Sequence, residues 1–488
     1  MRICLINPPL RAPVAWGIPK IFPPLGLAYI AAVLEEKCEV SIIDAPARGY
    51  KYLHQSNGKY HLGLEYTEIA TDVKRVSPDV IGITVPFTVN VESAFKVASS
   101  VKEIDRDIIT VFGGPHPSIR PFECLQNPDV DFVVIGEGEH TMLELVQKLE
   151  KGKNGLHDVR GLAYVRDGRA VFTPPRPVIQ DLDSLPFPAR HLLPMNEYFE
   201  VTRAKLTIRE MSKPWTTMIT SRGCPYNCIF CSIHIVMGRK WRPRSAEKVV
   251  DEIEQLVHNF HIKQIDFEDD NITLNRKRMA TICDLIVQRG LDIEWFTRNG
   301  VRADTLDENL LRKMKKSGCK ELWVSPESGV QRIVDQIIKK RLTLKKIEEV
   351  VVLSKKVGIG IGCYFVIGLI GETKGDIKKT IGFARKLRRL GADHLDFNIA
   401  TPYYGTELYE QAKQKGYLRA FNEESLGTLT AHIETPEFTL DEIRKLREQA
   451  KQACLPPLIS YDNFMRAVRY PEEALRYLVK KMARRKTL

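Results

Sequence analysis

The sequence predicts an α/β protein in which a doubly wound parallel sheet precedes a partial (β/α)6 TIM-like barrel and a helical C-terminal region. Residues 2–149 and 215–401 carry this prediction, because each stretch alternates short Ile- and Val-rich runs with amphipathic helical patterns. The 488 residues allow roughly two to four domains. We expect these to be a sheet domain (1–158), a hairpin and Pro-rich linker (159–212), the barrel (213–410) and the helical region (411–488).

The first domain is expected to contain a five-stranded parallel sheet flanked by helices. Its predicted strands are Arg2–Ile6, Val40–Ile43, Val80–Thr84, Ile109–Phe112 and Phe132–Ile135. Its predicted helices are Leu25–Glu36, Tyr66–Val76, Val91–Ile104 and His140–Leu149, with a shorter one near Pro121. Such a unit is Rossmann-like or flavodoxin-like, and its ligand crevice lies beyond the carboxyl ends of the strands.

Three loops at that edge stand out, at 85–88, 113–117 and 136–139. The region lacks both GxGxxG after its first strand and a Gly-Lys-Ser/Thr, which disfavours nicotinamide dinucleotides and nucleoside triphosphates as ligands. Paired glycines let the backbone approach a large flat ligand closely, and they equally serve tight turns. The candidate ligand-binding residues in these loops are Gly113, Gly114, His116, Gly136 and Glu137.

A hairpin about Asp167–Gly168 and a Pro-rich link at 174–194 precede the barrel. The predicted barrel strands are Thr216–Thr220, Gln264–Glu268, Ile293–Thr297, Glu321–Ser325, Cys363–Gly368 and His394–Thr401. The predicted barrel helices are Ser245–Phe260, Arg276–Arg289, Glu308–Ser317, Val330–Ile338, Leu344–Val357 and Lys374–Leu390. In such a barrel the chemistry takes place at the carboxyl ends of the strands.

Charge and hydropathy indicate where in the cell the protein is located. The longest nearly uncharged apolar stretch, 358–371, has fourteen residues, short of the ~18 to 20 of a membrane-spanning helix, and the N-terminus lacks the pattern of a secretory signal. We therefore expect a cytoplasmic protein. The formal net charge is +12, and residues 461–488 carry eight Lys or Arg against three acidic residues. This segment fits a solvated capping helix or a peripheral membrane-surface helix.

One group of cysteines requires a chemical explanation. Seven of the ten cysteines are scattered singly, whereas Cys224, Cys228 and Cys231 form a Cys-x3-Cys-x2-Cys loop directly after the first predicted barrel strand. Soft thiolates on one short loop suit zinc or an iron-sulfur cluster. A structural zinc site usually needs four protein ligands, and His234 is the nearest further donor. Three ligands on a [4Fe-4S] cluster would leave one iron open to a substrate.

This loop resembles that of the radical S-adenosylmethionine (SAM) superfamily. The resemblance implies that Cys224, Cys228 and Cys231 hold a [4Fe-4S] cluster whose free iron binds SAM, and that reductive cleavage yields a 5'-deoxyadenosyl radical. It places Phe230 against the adenine and Glu268 at the SAM amino group, although the two glycines of the family's Gly-Gly-Glu motif are replaced here. Its remaining candidate SAM contacts are Arg298 and Glu327.

Alternatives remain for these strand-end residues. Asp269 and Asp270 could cap the next helix, since acidic residues at strand ends often do so. Arg298 could pair structurally. Glu268 and Glu327 favour ligand roles, because an unpaired carboxylate buried at a barrel mouth would be costly.

The front domain with its GGPH and GEGE motifs, followed by this barrel, resembles the cobalamin-binding-domain radical SAM proteins over about residues 1–410. Many cobalamin domains carry Asp-x-His-x-x-Gly, whose histidine ligates cobalt. At the matching place this chain has Asp44-Ala45-Pro46-Ala47-Arg48-Gly49, and proline offers no side-chain donor. His116 could face the corrin, but a lone loop histidine is more often a hydrogen-bonded structural residue.

The resemblance implies a cobalamin-dependent methyltransferase that uses a [4Fe-4S] cluster, SAM and methylcobalamin to methylate an unactivated carbon. A cyclase or carbon-carbon coupling enzyme in lipid, tetrapyrrole or secondary metabolism is the first alternative, and a non-catalytic ligand sensor is the second. The expected partners are a small-molecule or lipid substrate and an electron donor such as flavodoxin or ferredoxin. Nucleic acid is disfavoured, because the sequence shows no separate RNA-binding module.

Overall fold

The computed structural model describes residues 1–152, 154–204, 206 and 211–455. The strands of the N-terminal part are Arg2–Asn7 (β1), Leu10–Pro13 (β2), Glu39–Asp44 (β3), Leu53–Ser56 (β4), Lys59–Leu62 (β5), Val80–Thr84 (β6), Ile109–Gly113 (β7), Phe132–Val134 (β8), Leu162–Arg166 (β9) and Arg169–Phe172 (β10). Its helices are Leu25–Leu34 (α1), Ala45–Arg48 (α2), Tyr66–Val76 (α3), Val91–Ile104 (α4), Pro115–Ile119 (α5), Pro121–Leu125 (α6), Glu139–Glu150 (α7) and Met195–Arg203 (α8).

The main N-terminal sheet has seven strands in the order β10-β9-β8-β7-β6-β1-β3. Strands β3, β1, β6, β7 and β8 are parallel, and their order is the flavodoxin-like one of the two predicted alternatives. The predicted hairpin forms β9 and β10 and extends this sheet in antiparallel fashion. It turns at Asp167–Gly168, where both residues have positive φ, as a two-residue hairpin turn requires.

Alternating residues of the central strand β1 serve two cores. Ile3 and Leu5 pack on the face covered by α1 and α7, whereas Cys4 and Ile6 pack on the face covered by α3 and α4. Both faces of the sheet are therefore buried, as expected when crossover helices cover a parallel sheet on both sides.

A small antiparallel sheet, β2-β5-β4, was not predicted from the sequence. Strands β4 and β5 form a hairpin that turns at Asn57–Gly58, with φ values of 48° and 73°. Asn-Gly is a strong signal for this turn, so the hairpin could have been recognised from the sequence.

The second half contains a six-stranded parallel sheet and a separate two-stranded one. The strands are Trp215–Met218 (β11), Ser221–Arg222 (β12), Arg242–Pro243 (β13), Gln264–Phe267 (β14), Glu294–Val301 (β15), Cys319–Glu327 (β16), Gly360–Ile367 (β17) and His394–Ile399 (β18). The helices are Ile233–Val236 (α9), Ala246–Phe260 (α10), Arg276–Gln288 (α11), Glu308–Lys316 (α12), Leu344–Val357 (α13), Lys374–Leu390 (α14), Glu407–Gln414 (α15) and Leu440–Ala453 (α16). The strand order β11-β14-β15-β16-β17-β18 is sequential and open, which confirms the partial barrel. Strands β12 and β13 pair separately.

One predicted barrel helix has a different form. The stretch predicted as helix 330–338 contains a π-helical turn at Ile333–Ile337. Further along the chain, α15 and α16 are joined by a segment with β-bridges between Leu418 and Ile433 and between Thr435 and Phe438. The basic segment 461–488 lies outside the described residues. Among the helices that are described, none combines the length and the apolar character needed to cross a membrane.

The segment that joins α15 to α16 packs back onto the N-terminal domain. The indole Nε1 of Trp16 donates a hydrogen bond to Thr430 Oγ1 at 2.7 Å, and Lys59 forms an ion pair with Glu424. Gly427 lies so close to the Trp16 ring that a Cβ atom there would overlap it. These contacts join the two halves of the described chain at the carboxyl side of their sheets.

Candidate active site at the domain interface

The three cysteines lie on a loop, 223–241, whose two ends are held together by the pairing of β12 with β13. Gly223, just before the first cysteine, has φ = 83°, and a Cβ there would lie 2.5 Å from the carbonyl oxygen of Lys240. Glycine is therefore required where the loop begins. Cys224, Cys228 and Cys231 are all free thiols of intermediate exposure, so the loop presents them near solvent.

Burial raises the pKa of all three thiols, to about 12 for Cys231, whose pKa is also raised by the neighbouring Cys228 and Cys224. The positive charge of Lys340 acts in the opposite direction on Cys224 and Cys228. Within the described residues, no three His, Cys, Asp or Glu side chains are arranged as a metal site. The fit to a cluster therefore rests on the donor set, three soft thiols on one loop.

An apolar cluster backs the cysteine loop. Ile229, Leu369 and Leu408 are fully or almost fully buried there, and Cys228 and Phe230 pack against them. The backbone of Ile229 donates a hydrogen bond to Ile338 and accepts one from Leu408 at 2.9 Å. The loop is thus fixed to the segments that follow β16 and β18, at the carboxyl ends of the barrel strands.

A cavity of about 240 Å³ opens beside this loop at the barrel mouth. Three of the predicted SAM-binding residues, Phe230, Arg298 and Glu327, meet in its wall. Its other lining residues come from β15 to β18 and the segments after them: Asn299, Ser325, Tyr364, Val366, Asn398, Ile399, Thr401, Tyr403 and Thr428. Glu268 is not among the residues that line this cavity.

Glu327 has an unusual backbone conformation. Its φ is 65°, a left-handed value that is uncommon for a residue with a side chain and that clusters at functional sites. Its buried Oε1 accepts a hydrogen bond from Lys340 Nζ at 2.6 Å. Lys340 was not predicted as a site residue, and its only signal was the basic run Lys339-Lys340-Arg341. The ion pair thus connects Glu327 in the cavity wall with Lys340, whose positive charge also acts on Cys224 and Cys228.

Arg298 has structural partners as well as a place in the cavity wall. Its Nη1 lies 3.1 Å from Asp266 Oδ2, and its guanidinium stacks over the Phe296 ring at 4.0 Å. Its charge is thus already paired, as the structural alternative expected. The cavity-lining position nonetheless leaves the predicted SAM contact open to test.

The three acidic residues after β14 differ in role. Burial, together with repulsion from Asp266 and Asp269, raises the pKa of Glu268 to about 8. Asp269 is buried and accepts hydrogen bonds from the backbone and hydroxyl of Thr220, so it braces the end of the first barrel strand. The capping alternative for Asp269 and Asp270 is wrong, because Asn275 caps the next helix.

The predicted ligand-binding loops of the first domain lie together at its carboxyl edge. Gly113 ends β7, and Gly114 has φ = 104°, a conformation that side chains rarely adopt, with Thr84 Oγ1 3.2 Å from where a Cβ would lie, so Gly114 serves a tight turn. Gly136 has φ = 82° and faces open space. Phe87, in the loop after β6, is 64% exposed at this edge. An uncovered aromatic ring beside glycine turns fits a large flat ligand such as a corrin.

His116 is buried, and its Nδ1 lies 3.1 Å from the Thr88 hydroxyl. Burial lowers the pKa of His116 to about 4, so the ring is neutral near pH 7. This geometry favours the structural alternative for this residue.

Position 46 offers no cobalt ligand. Pro46 is buried in the short helix α2, and the neighbouring Asp44 carboxylate already accepts hydrogen bonds from Asn7 and Tyr198. Burial raises the pKa of Asp44 to about 6. The residues at this edge therefore fit a corrin that takes no protein ligand from position 46.

Glu137 faces the barrel. Its two carboxylate oxygens accept hydrogen bonds from Arg222, Arg242 and the backbone of Ile179. The structure thus gives it protein partners where the resemblance expected a cofactor, and the sequence analysis did not single out the two arginines.

The two carboxyl edges are in contact. Helix α5, after the GGPH turn, packs against α9, which follows the third cysteine. At Gly405 a Cβ would lie 2.7 Å from Ile235 of α9 and 3.8 Å from Ile119 of α5. The cysteine loop, the first domain and the segment after β18 therefore meet at one interface.

A flavodoxin-like domain facing a half-barrel with a three-cysteine loop defines a radical SAM enzyme with a corrin-binding domain. Two family models match the chain, the B12 binding domain at residues 14–146 and the Radical SAM superfamily at residues 218–384. An uncharacterised methyltransferase of Pyrococcus horikoshii is 36% identical over 451 residues, which cover 92% of this chain and 91% of that protein. The chain belongs to the B12-binding radical SAM family, whose cofactors are a [4Fe-4S] cluster, SAM and cobalamin.

Other relatives differ in activity. Cytidylyl-2-hydroxyethylphosphonate methyltransferase of Streptomyces wedmorensis is 30% identical, with 88% of this chain and 84% of that protein covered. The anaerobic magnesium-protoporphyrin IX monomethyl ester cyclase of Rubrivivax gelatinosus is 28% identical, with 85% and 70% covered. The structure of the radical SAM methyltransferase TsrM of Kitasatospora setae, with cobalamin and a [4Fe-4S] cluster bound, has a TM-score of 0.67 at 20% identity and covers 86% of this chain and 79% of that one. This last likeness shows the fold.

Proposed function

We propose that this radical SAM enzyme is a cobalamin-dependent methyltransferase that acts on an unactivated carbon of a small-molecule substrate. The observation that supports the proposal is the meeting of the two carboxyl edges at Ile119, Ile235 and Gly405, where the loops predicted to bind the corrin lie next to the cysteine loop. When bound, the cluster and SAM supply a carbon radical generator and the corrin supplies a methyl group. A methyl group and a substrate radical must meet, so this proximity supports methyl transfer.

The roles of the chain's residues follow from their positions. Cys224, Cys228 and Cys231 would hold the cluster. Phe230 and Glu327 line the cavity beside them and would contact SAM, with Lys340 fixing the Glu327 carboxylate. Glu268, at the end of β14, would accept hydrogen bonds from the SAM amino group. Arg298 is the weaker candidate, since Asp266 already pairs with it.

We also propose a class of substrate and a class of electron donor. We expect a small-molecule substrate, because the 30% identical relative from Streptomyces wedmorensis is named for the methylation of one, cytidylyl-2-hydroxyethylphosphonate. A flavodoxin or ferredoxin is the expected electron source, since reductive cleavage of SAM consumes an electron. A lipid substrate and peripheral membrane contact depend on the basic residues at 461–488, which lie outside the described residues.

A cyclase or coupling reaction is the second candidate, and the 28% identical cyclase relative favours it. Labelled SAM separates the two without knowledge of the substrate. The holoenzyme would be reduced in the presence of SAM carrying a trideuterated methyl group, and the corrin analysed by mass spectrometry. Methyl transferase activity predicts a deuterated methyl group on the corrin, in addition to 5'-deoxyadenosine. Deoxyadenosine without label on the corrin would contradict methyl transfer and leave the cyclase as the leading function.

A further inference from the structure

Two buried glutamates of the first domain hold both ends of the cysteine loop. Glu137 Oε1 accepts hydrogen bonds from Arg222 Nη1 at 3.0 Å and from Arg242 Nη1 at 2.9 Å. Glu139 Oε1 accepts one from Arg222 Nη2 at 2.6 Å. These glutamates and arginines are all less than 9% exposed. The first domain and the barrel are therefore joined here by a buried network of charged hydrogen bonds.

The positions of the two arginines show which segment the network holds in place. Arg222 ends β12, Arg242 begins β13, and the two residues are direct partners in that strand pair. The cysteine loop 223–241 is the whole of the chain between them. Arg242 also donates hydrogen bonds to the carbonyls of Ile179 and Met237, the latter within the loop itself. The loop is thus fixed at its base to the segment that follows strand β8 of the first domain.

Stability alone does not account for such a network. Buried ion pairs contribute little net stability compared with apolar side chains of similar volume, because desolvation offsets the attraction between the charges. Their hydrogen bonds are directional, however, and a carboxylate bridging two guanidinium groups fixes the separation of the elements that carry them. Apolar contacts such as those between α5 and α9 have no preferred direction, whereas the hydrogen bonds of this network do.

We propose that Glu137 and Glu139 are positioning residues that set the distance between the corrin-binding edge and the cysteine loop. The proposal rests on the proposed methyltransferase function, in which SAM on the cluster and the corrin must be in contact. A displacement of about 1 Å can cost about a hundredfold in rate. Loss of the network should therefore lower the rate of methyl transfer from SAM to the corrin much more than it lowers the affinity for SAM.

The test uses the full-length protein loaded with cluster and cob(II)alamin, and needs no substrate. Pulsed electron paramagnetic resonance, on protein reduced only until the paramagnetic cluster and cobalt(II) are present together, reads their magnetic interaction, which depends steeply on their separation. Stopped-flow spectroscopy with excess SAM reads methyl transfer to the reduced corrin, and equilibrium titration reads SAM affinity. The variants are Glu137→Gln and, where that variant does not fold, Glu137→Met with Arg242→Met, which removes both charges together and leaves none uncompensated.

Glu252→Gln is the matched control. Glu252 is fully buried and accepts hydrogen bonds from two arginines, Arg190 and Arg244, but lies on α10 and touches neither glutamate of the 136–139 loop. The Glu252→Gln variant therefore removes a buried carboxylate but leaves the contacts between the cysteine loop and the first domain in place.

The proposal predicts that both Glu137 variants weaken or broaden the cluster–cobalt interaction and slow methyl transfer about tenfold or more at nearly unchanged SAM affinity. Glu252→Gln should keep the wild-type interaction. An unchanged interaction in the Glu137 variants, or an equal change in the control, would overturn the positioning role. Wild-type protein without methyl transfer would contradict the proposed function, while the magnetic interaction would still decide the positioning role. Wild-type protein without bound corrin would contradict both.

Discussion

Replacing Glu268 by Gln tests the proposed SAM site through its pH dependence. Burial and the neighbouring carboxylates of Asp266 and Asp269 raise the pKa of Glu268 to about 8. The ionised carboxylate accepts hydrogen bonds from the SAM amino group more strongly than the protonated carboxyl does. For a pKa near 8, the ionised fraction rises about 25-fold between about pH 6.5 and about pH 8.5, equivalent to about 1.9 kcal/mol. SAM affinity should rise with pH by up to this factor.

The assay is anaerobic isothermal titration calorimetry of SAM into the cluster-loaded protein across this pH range. Titration of SAM itself affects wild type and variant equally, so the difference in slope is the measured quantity. Glu268→Gln should remove the contribution of the carboxyl. Glu294→Gln is the control, because a pKa lowered to about 2 keeps Glu294 ionised throughout, and this variant should keep the wild-type slope. An identical slope in Glu268→Gln and wild type would refute the assigned contact.

Three further predictions concern the cluster and the barrel core. Cys228→Ala should abolish iron and sulfide binding and deoxyadenosine formation, and a variant that keeps its brown colour would contradict the ligand assignment. Burial raises the pKa of Glu372 to about 8, so the folded protein binds the proton of this carboxyl more tightly than the unfolded chain does. This contributes to the free energy of unfolding in full below about pH 4.5, and the contribution is lost as the pH rises through about 8. Glu372→Gln should therefore show a flatter fall in melting temperature across that range, and an equally steep fall would count against this reasoning. Gly362→Ala should lower the unfolding free energy by about 1 to 3 kcal/mol in chemical denaturation, because its Cβ would overlap the Trp323 ring. Gly382→Ala in α14, with open space around its Cβ, should not destabilise the protein, and equal losses in the two variants would contradict the steric argument.

Much of the fold could be predicted because its signals are local. Strand Val80–Thr84 and helices Tyr66–Val76 and Leu344–Val357 have the bounds that apolar periodicity predicted. Short edge elements such as β2 bury few residues and leave a weak pattern. The open form of the barrel was also predicted, since only six strand and helix units follow the linker.

The site was predicted unevenly for a physical reason. The cysteines stand together in the sequence, whereas the partners of Glu137 lie 85 and 105 residues away. A single sequence cannot pair such distant charges. For the same reason, the left-handed backbone of Glu327 and its partner Lys340 became visible only in the folded chain.

The most direct test of the central claim is the cofactor content of the protein after anaerobic purification with added cobalamin. Iron, sulfide and corrin would be measured together, alongside the ultraviolet-visible spectrum. A cobalamin-dependent radical SAM methyltransferase should contain about four irons and about one corrin per chain. About four irons without corrin would contradict this assignment, because the loops at the carboxyl edge of the first domain would then serve another purpose.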